Sequence, residues 1–143
     1  EKNSMLPKTI TYTDYNGVER TETFYFNLSK SELTRWAMSV EGGLHERLQR
    51  IIDAKDNVAV MKEFDNIIAK SYGVKSDDGR RFEKSKQITE EFMQTPAYDQ
   101  LYMELITGGT DVMSAFINGI VPMDLVKEAD AEHKAALSVV NPV

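Results

Sequence analysis

Between Ser71 and Pro122 the chain reads SYGVKSDDGRRFEKSKQITEEFMQTPAYDQLYMELITGGTDVMSAFINGIVP, and its breakers cut that stretch into short elements. The charged turn Ser76-Asp77-Asp78-Gly79 separates Val74 from Phe82 and predicts a short hairpin or ordered loop, with Arg80, Arg81, Lys84 and Lys86 beside it. Three helical patterns follow. Ser85 can cap the first, which carries Ile88, Phe92 and Met93. Thr95-Pro96 starts the second, since proline at the first helical position gives up only an amide that had no partner. Its buried face is Tyr98, Leu101, Tyr102, Leu105 and Ile106. Gly108-Gly109 ends it, Thr110 or Asp111 is the expected next cap, and Val112, Ala115, Phe116 and Ile120 form the third stripe before Pro122.

Upstream, KTITYTDYNGVERTETFYF alternates threonine with apolar residues around Asn16-Gly17, a hairpin signal. A two-residue loop would set Ile10 opposite Thr23 and put Phe24 and Phe26 on the wrong face. A three-residue loop, Tyr15-Asn16-Gly17 with Gly17 left-handed, gathers Ile10, Tyr12, Val18, Phe24 and Phe26 on one side, and is the expected register. Ser29 and Glu32 form a capping box for a helix with Leu33, Trp36, Ala37 and Val40 on its stripe. Gly42-Gly43 breaks it before a second stripe of Leu44, Leu48, Ile51 and Ile52. Asp56 or Asn57 can cap a third helix, with Val60 or Met61, Phe64, Ile67 and Ile68 inside and Tyr72-Gly73 closing it. A weak last helix is expected from Asp124 to about Leu137.

The reading is one α+β domain, mostly helical, with an N-terminal β-hairpin packed on about six helices. Its parts are a flexible start (1–7), the hairpin (8–28), a helical region (29–137) and a flexible tail (138–143). At 143 residues one core is expected. No apolar run approaches the roughly 18 residues of a membrane span, and no secretory leader pattern opens the chain. A net charge of −6 argues against nucleic acid as a partner, because a phosphate binder gathers cations on one face.

The chemistry of catalysis is sparse. With no cysteine, neither a disulfide nor a thiolate site can form. His45 and His133 lack ligand-spaced neighbours, and Glu90 and Glu91, adjacent on a helix, point about 100° apart. Asp77 and Asp78 lack the alternating ligands of a calcium loop, so turn formation explains them. The group Lys75, Arg80, Arg81, Lys84 and Lys86 is interleaved with Asp77, Asp78 and Glu83, which reads as a solvated turn or as a dock for an acidic partner. Neither an enzyme nor a cofactor is expected.

The segments TYTDYNGVERTETFYFNLSKSEL, LQRIIDAKD, SYGVKSDDGRRF, EEFMQTPAYDQLYMEL and FINGIVP, in this order, resemble the tail assembly chaperones of long-tailed, siphovirus-type phages and prophages of Gram-positive bacteria. The resemblance covers Thr9 to Pro122. Arg35-Trp36 and the GGTD joint depart from it, since acidic or small residues are expected at the first and more acid at the second. It implies a non-enzymatic helper in the host cytoplasm that coats the tape-measure protein, recruits tail-tube subunits and leaves before the virion matures. Such a helper needs exposed apolar surface on a stable fold. Candidate contacts are Trp36, Met38, Tyr98, Tyr102 and Phe116, with Arg80 and Arg81 for an acidic partner, and the hairpin edge for self-association; burial in the core is the competing reading for Tyr102 and Phe116. The rival functions are a structural head or tail protein of the virion and a small inhibitor of a host or defence protein.

Overall fold

The computed structural model describes residues 5–53 and 58–140. Strand β1 (Leu6–Thr13) pairs antiparallel with β2 (Glu19–Phe26), placing Ile10 opposite Glu22 and Tyr12 opposite Arg20. This is the three-residue-loop register. Asp14 fixes it: one carboxylate oxygen accepts the amides of Asn16 and Val18, while the amide of Asp14 donates to the Val18 carbonyl at 2.8 Å. Gly17 sits at φ +80°, where a side chain would be strained. Leu6, Ile10, Tyr12, Phe24 and Phe26 share the face turned to the helices, and threonine pairs 9–23 and 11–21 share hydrogen bonds on the other. Val18 departs from the expectation: it lies beyond the last strand pair and is exposed.

Two further strands, β3 (Tyr72–Lys75) and β4 (Phe82–Glu83), extend the sheet in the order β1-β2-β3-β4, all antiparallel. Tyr72 and Gly73, expected to close a helix, instead open β3, because Ser71 already ends the helix and the next backbone groups pair with Phe26 and Tyr25. The 76–79 segment is the expected tight turn, in which the Asp78 carboxylate accepts from the Ser76 hydroxyl and the Arg80 amide. Counted by alternation from the Asp14–Val18 bond, Pro7, Thr9, Thr11 and Thr13 turn their backbone groups to the outer edge of β1. Pro7 has no amide to offer there, and Gln100 donates to the Thr11 carbonyl at 2.7 Å, so the edge is blunted against strand addition.

Among the described residues seven helices, against the about six expected, complete the fold: α1 (Lys30–Ser39), α2 (Leu44–Asp53), α3 (Val58–Ser71), α4 (Lys86–Met93), α5 (Pro96–Thr107), α6 (Thr110–Ile120) and α7 (Met123–Val140). The last runs past Leu137 and into the expected flexible tail. The expected caps Asp56 and Asn57, and residues 1–4 and 141–143 of the expected flexible ends, lie outside the described residues. Phe26, fully buried, joins sheet to helices: its ring meets Tyr72, Phe92 and Phe116 at 5.7, 6.0 and 5.4 Å between centroids. Tyr72 stacks on Phe92 at 4.3 Å. Buried aromatics of this size carry much of a small core.

Ser29, Ser85 and Thr95 cap their helices as expected, each accepting the backbone amide three residues on. Gly109 caps α6 without a side-chain bond, in place of the expected Thr110 or Asp111, which lie inside the helix. Helix α2 takes its cap from a distant element. The Asp130 carboxylate of α7 accepts the amides of Leu44 and His45, both at 2.9 Å. Gly43, at φ +94°, brings the chain past that carboxylate, and a Cβ there would stand 3.3 Å from its oxygen. Replacing Asp130 with alanine should lower stability by about 1–2 kcal/mol in urea unfolding, and Asp130→Asn should recover only part of it, since its amide keeps one acceptor oxygen and turns an NH2 donor toward the second backbone amide. An Asp130→Ala protein as stable as the parent would contradict this long-range cap.

Candidate functional site

Two helices present matching stripes at the spacing i, i+3, i+4, i+7. On α1 the stripe is Glu32, Arg35, Trp36 and Ser39; on α4 it is Lys86, Thr89, Glu90 and Met93. That spacing puts each set on one helix face. The stripes form opposite walls of an open groove of about 670 Å³, closed below by Leu28 and by Ala69 and Lys70 at the end of α3. Both walls are held from outside the groove, α1 by α7 and α4 by α5 and β3.

Trp36 belongs to two stripes at once, since it also continues Leu33, Ala37 and Val40 into the core. It is therefore 8 % exposed, showing only an edge to the groove, while the Lys70 ammonium stands 5.2 Å from its ring centroid.

Beneath the groove lies a polar clamp. The Lys84 ammonium donates to the Asn27 carbonyl (2.7 Å), the Lys70 carbonyl (2.6 Å) and both oxygens of Glu32 (2.9 and 3.1 Å). It thus ties the end of β2, the end of α3 and the start of α1 to the segment leading into α4. The Lys70 carbonyl belongs to the last turn of α3, where helix carbonyls lack partners and a cation is favoured. Glu32 in turn accepts the Ser29 amide to complete the capping box. Burial opposes ionisation of the Glu32 carboxyl, but the bonds from the Ser29 amide and Lys84 prevail and hold its pKa below the ordinary glutamate value.

The groove carries four basic side chains, Arg35, Lys70, Lys84 and Lys86, against two acidic ones, Glu32 and Glu90, on a chain of net charge −6. Lys84 is consumed by the clamp. Lys86 stands 4.0 Å from Glu90, both exposed, a contact of small energy. Arg35 and Lys70 have no carboxylate partner among the described residues. The charge without a carboxylate partner is therefore at two places, Arg35 on the exposed edge and Lys70 at the floor beside the Trp36 ring.

The residues singled out from the sequence do not converge on one site. Trp36 lies in the groove wall. Met38, on the same helix, is 56 % exposed and does not line it. Tyr98 and Tyr102 are half-buried on α5, Tyr98 donating to Asp65 at 3.0 Å and packing on Phe92, Tyr102 packing on Phe64. Burial first, then the Asp65 charge, pushes the Tyr98 hydroxyl well above the ordinary tyrosine range. Phe116 is buried, as its core reading has it. Arg80 and Arg81 are exposed by the β3–β4 turn, with Arg81 paired to Glu83 at 2.7 Å. Sequence reasoning missed the α4 wall and the clamp: Lys84 reads as one more cation of a solvated turn.

No group of three or more histidine and acidic residues could hold a metal ion among the described residues, and no described helix is long and apolar enough to cross a membrane. A groove walled by two helices suits a protein that binds segments of other proteins. Comparison with known families matches residues 5–142 to phage tail assembly chaperones. The chain belongs to that family, which is non-enzymatic. No curated protein and no solved structure matches it.

Lys84→Met should lower stability by about 2–4 kcal/mol, because it strands two carbonyls and a carboxylate in a part-buried place. Glu32, with its lowered pKa, adds stability that is whole above about pH 4.5 and is lost as the pH falls through its folded value. Glu32→Gln should flatten that acid limb in thermal melts between about pH 5 and pH 3. An unchanged limb would rule out the clamp's contribution.

Proposed function

We propose that this chaperone binds the tape-measure protein and recruits tail-tube subunits in the cytoplasm of a Gram-positive host, in a siphovirus-type phage or prophage. The family match over residues 5–142 carries the reading. The fold suits such a role, because a client-holding protein needs exposed apolar surface on a frame that does not collapse around it. The open groove beside Trp36 and Met93, underpinned by Lys84, offers such a surface. Met38, Tyr98, Tyr102, Arg80 and Arg81 remain proposed secondary contacts, Met38 and the arginines by exposure, the tyrosines by their half-exposed rings. Binding is stoichiometric and reversible, and the helper leaves as tube subunits replace it.

Co-expression with the tape-measure and tube proteins of the same phage should co-purify the former in stoichiometric amount, and mass spectrometry of finished particles should find the chaperone absent. Its presence as a fixed component of the virion, or failure of both proteins to co-purify, would overturn the reading.

A further inference from the structure

We propose that the groove between α1 and α4 receives an acidic amphipathic helix of the client, whose apolar side chains seat against Trp36 and Met93 while its carboxylates meet Arg35 and Lys70. This rests on the reading of the chain as a client-holding chaperone and names the surface and the chemistry of the segment held. Three observations carry it. The groove has apolar lining from Leu28, Trp36, Ala69 and Met93, which can bury a client's apolar stripe. Arg35 at its exposed edge and Lys70 at its floor, over the Trp36 ring, have no carboxylate partners among the described residues, on an otherwise acidic chain. The one strongly engaged carboxylate in the groove, Glu32, is already neutralised by Lys84, so an incoming acid meets little repulsion from that wall.

Charge decides between occupants. A second copy of this chain would bring net charge −6, but the exposed stretch of its α7 mixes Asp124, Glu128 and Glu132 with Lys127 and Lys134, and in its cation-free helix α5 Glu104 is already paired with Lys8, which leaves Asp99 alone to meet two cations. A basic client would crowd Arg35 and Lys70 together without a counter-charge. An acidic helix with an apolar residue flanked by Asp or Glu at i±3 or i±4 satisfies both the apolar lining and the two cations.

The test is photo-crosslinking in cells co-expressing the phage tail genes, with p-benzoylphenylalanine at Ser39, which lines the groove, or at Met103, exposed on α5 outside it. Crosslinking from Ser39 to a segment with that acidic-apolar pattern is expected. The double variant Arg35→Glu with Lys70→Glu should cut the yield at least about tenfold, and replacing the segment's acids with lysine should restore it. Should the double variant fail to fold, the parent chain still decides: in the purified complex, raising salt from about 0.05 to about 0.5 M should weaken the Ser39 crosslink severalfold. Crosslinking from Ser39 to a basic segment or to a second copy, or from Met103 alone with the client still co-purifying, would overturn the groove assignment and leave the chaperone reading standing. No crosslink from either position and no co-purification would overturn both.

Discussion

One ammonium group holds the frame together. Lys84 reaches Asn27 just after β2, the final turn of α3 and the capping-box glutamate of α1, and so adds to the junction that the Asn27 amide begins by donating to the Ser71 carbonyl. A half-exposed ion pair alone contributes little. Here the pair is one part of a network in which two carbonyls depend on the same donor, so the cost of removing it comes from what is left unpaired. Because the network lies at the foot of α1 and just before α4, it also sets where the two groove walls begin.

The aromatic core supplies the complementary restraint. Phe26 belongs to the hairpin but its ring partners come from β3, α4 and α6, which fixes the sheet against the helical layer. The Tyr72–Phe92 stack does the same for α4 from below. A helix of eight residues would be marginal by itself. Held by Phe92 inside and by its Ser85 cap, it can leave Met93, Glu90 and Lys86 facing outward without fraying.

What could be read from the sequence follows from how local each cause is. The hairpin register was legible because Gly17 and the alternation of Ile10, Tyr12, Phe24 and Phe26 act within about twenty residues, while the Asp14 carboxylate that fixes the turn was not read from the sequence. The caps at Ser29, Ser85 and Thr95 are likewise three-residue devices. Asp130 could not be seen as the cap of α2, for it is 86 residues from Leu44 and carries no mark that distinguishes it from other surface acids of its helix. Lys84 hid in a mixed-charge run for the same reason. The groove was half visible: Trp36 stood out, but its stripe with Glu32, Arg35 and Ser39 mixes charge, aromatic and hydroxyl, and mixed stripes give no amphipathic signal. Val18 and the β3 start at Tyr72 show the limit of pattern, since only pairing partners decide where a strand stops.

These restraints describe the frame of a tail assembly chaperone, on which the groove between α1 and α4 is the client-holding surface we propose. In that proposal the chemistry is contact rather than bond-making: an apolar seat, two cations without carboxylate partners among the described residues, and a neutralised glutamate. Hydrogen–deuterium exchange on the chaperone alone and in complex with the tape-measure protein tests this directly. Slower exchange in α1 and α4 on binding, with β1 and β2 unchanged, is the predicted result. Protection confined to the hairpin or to α7, with α1 and α4 exchanging as in the free protein, would contradict it.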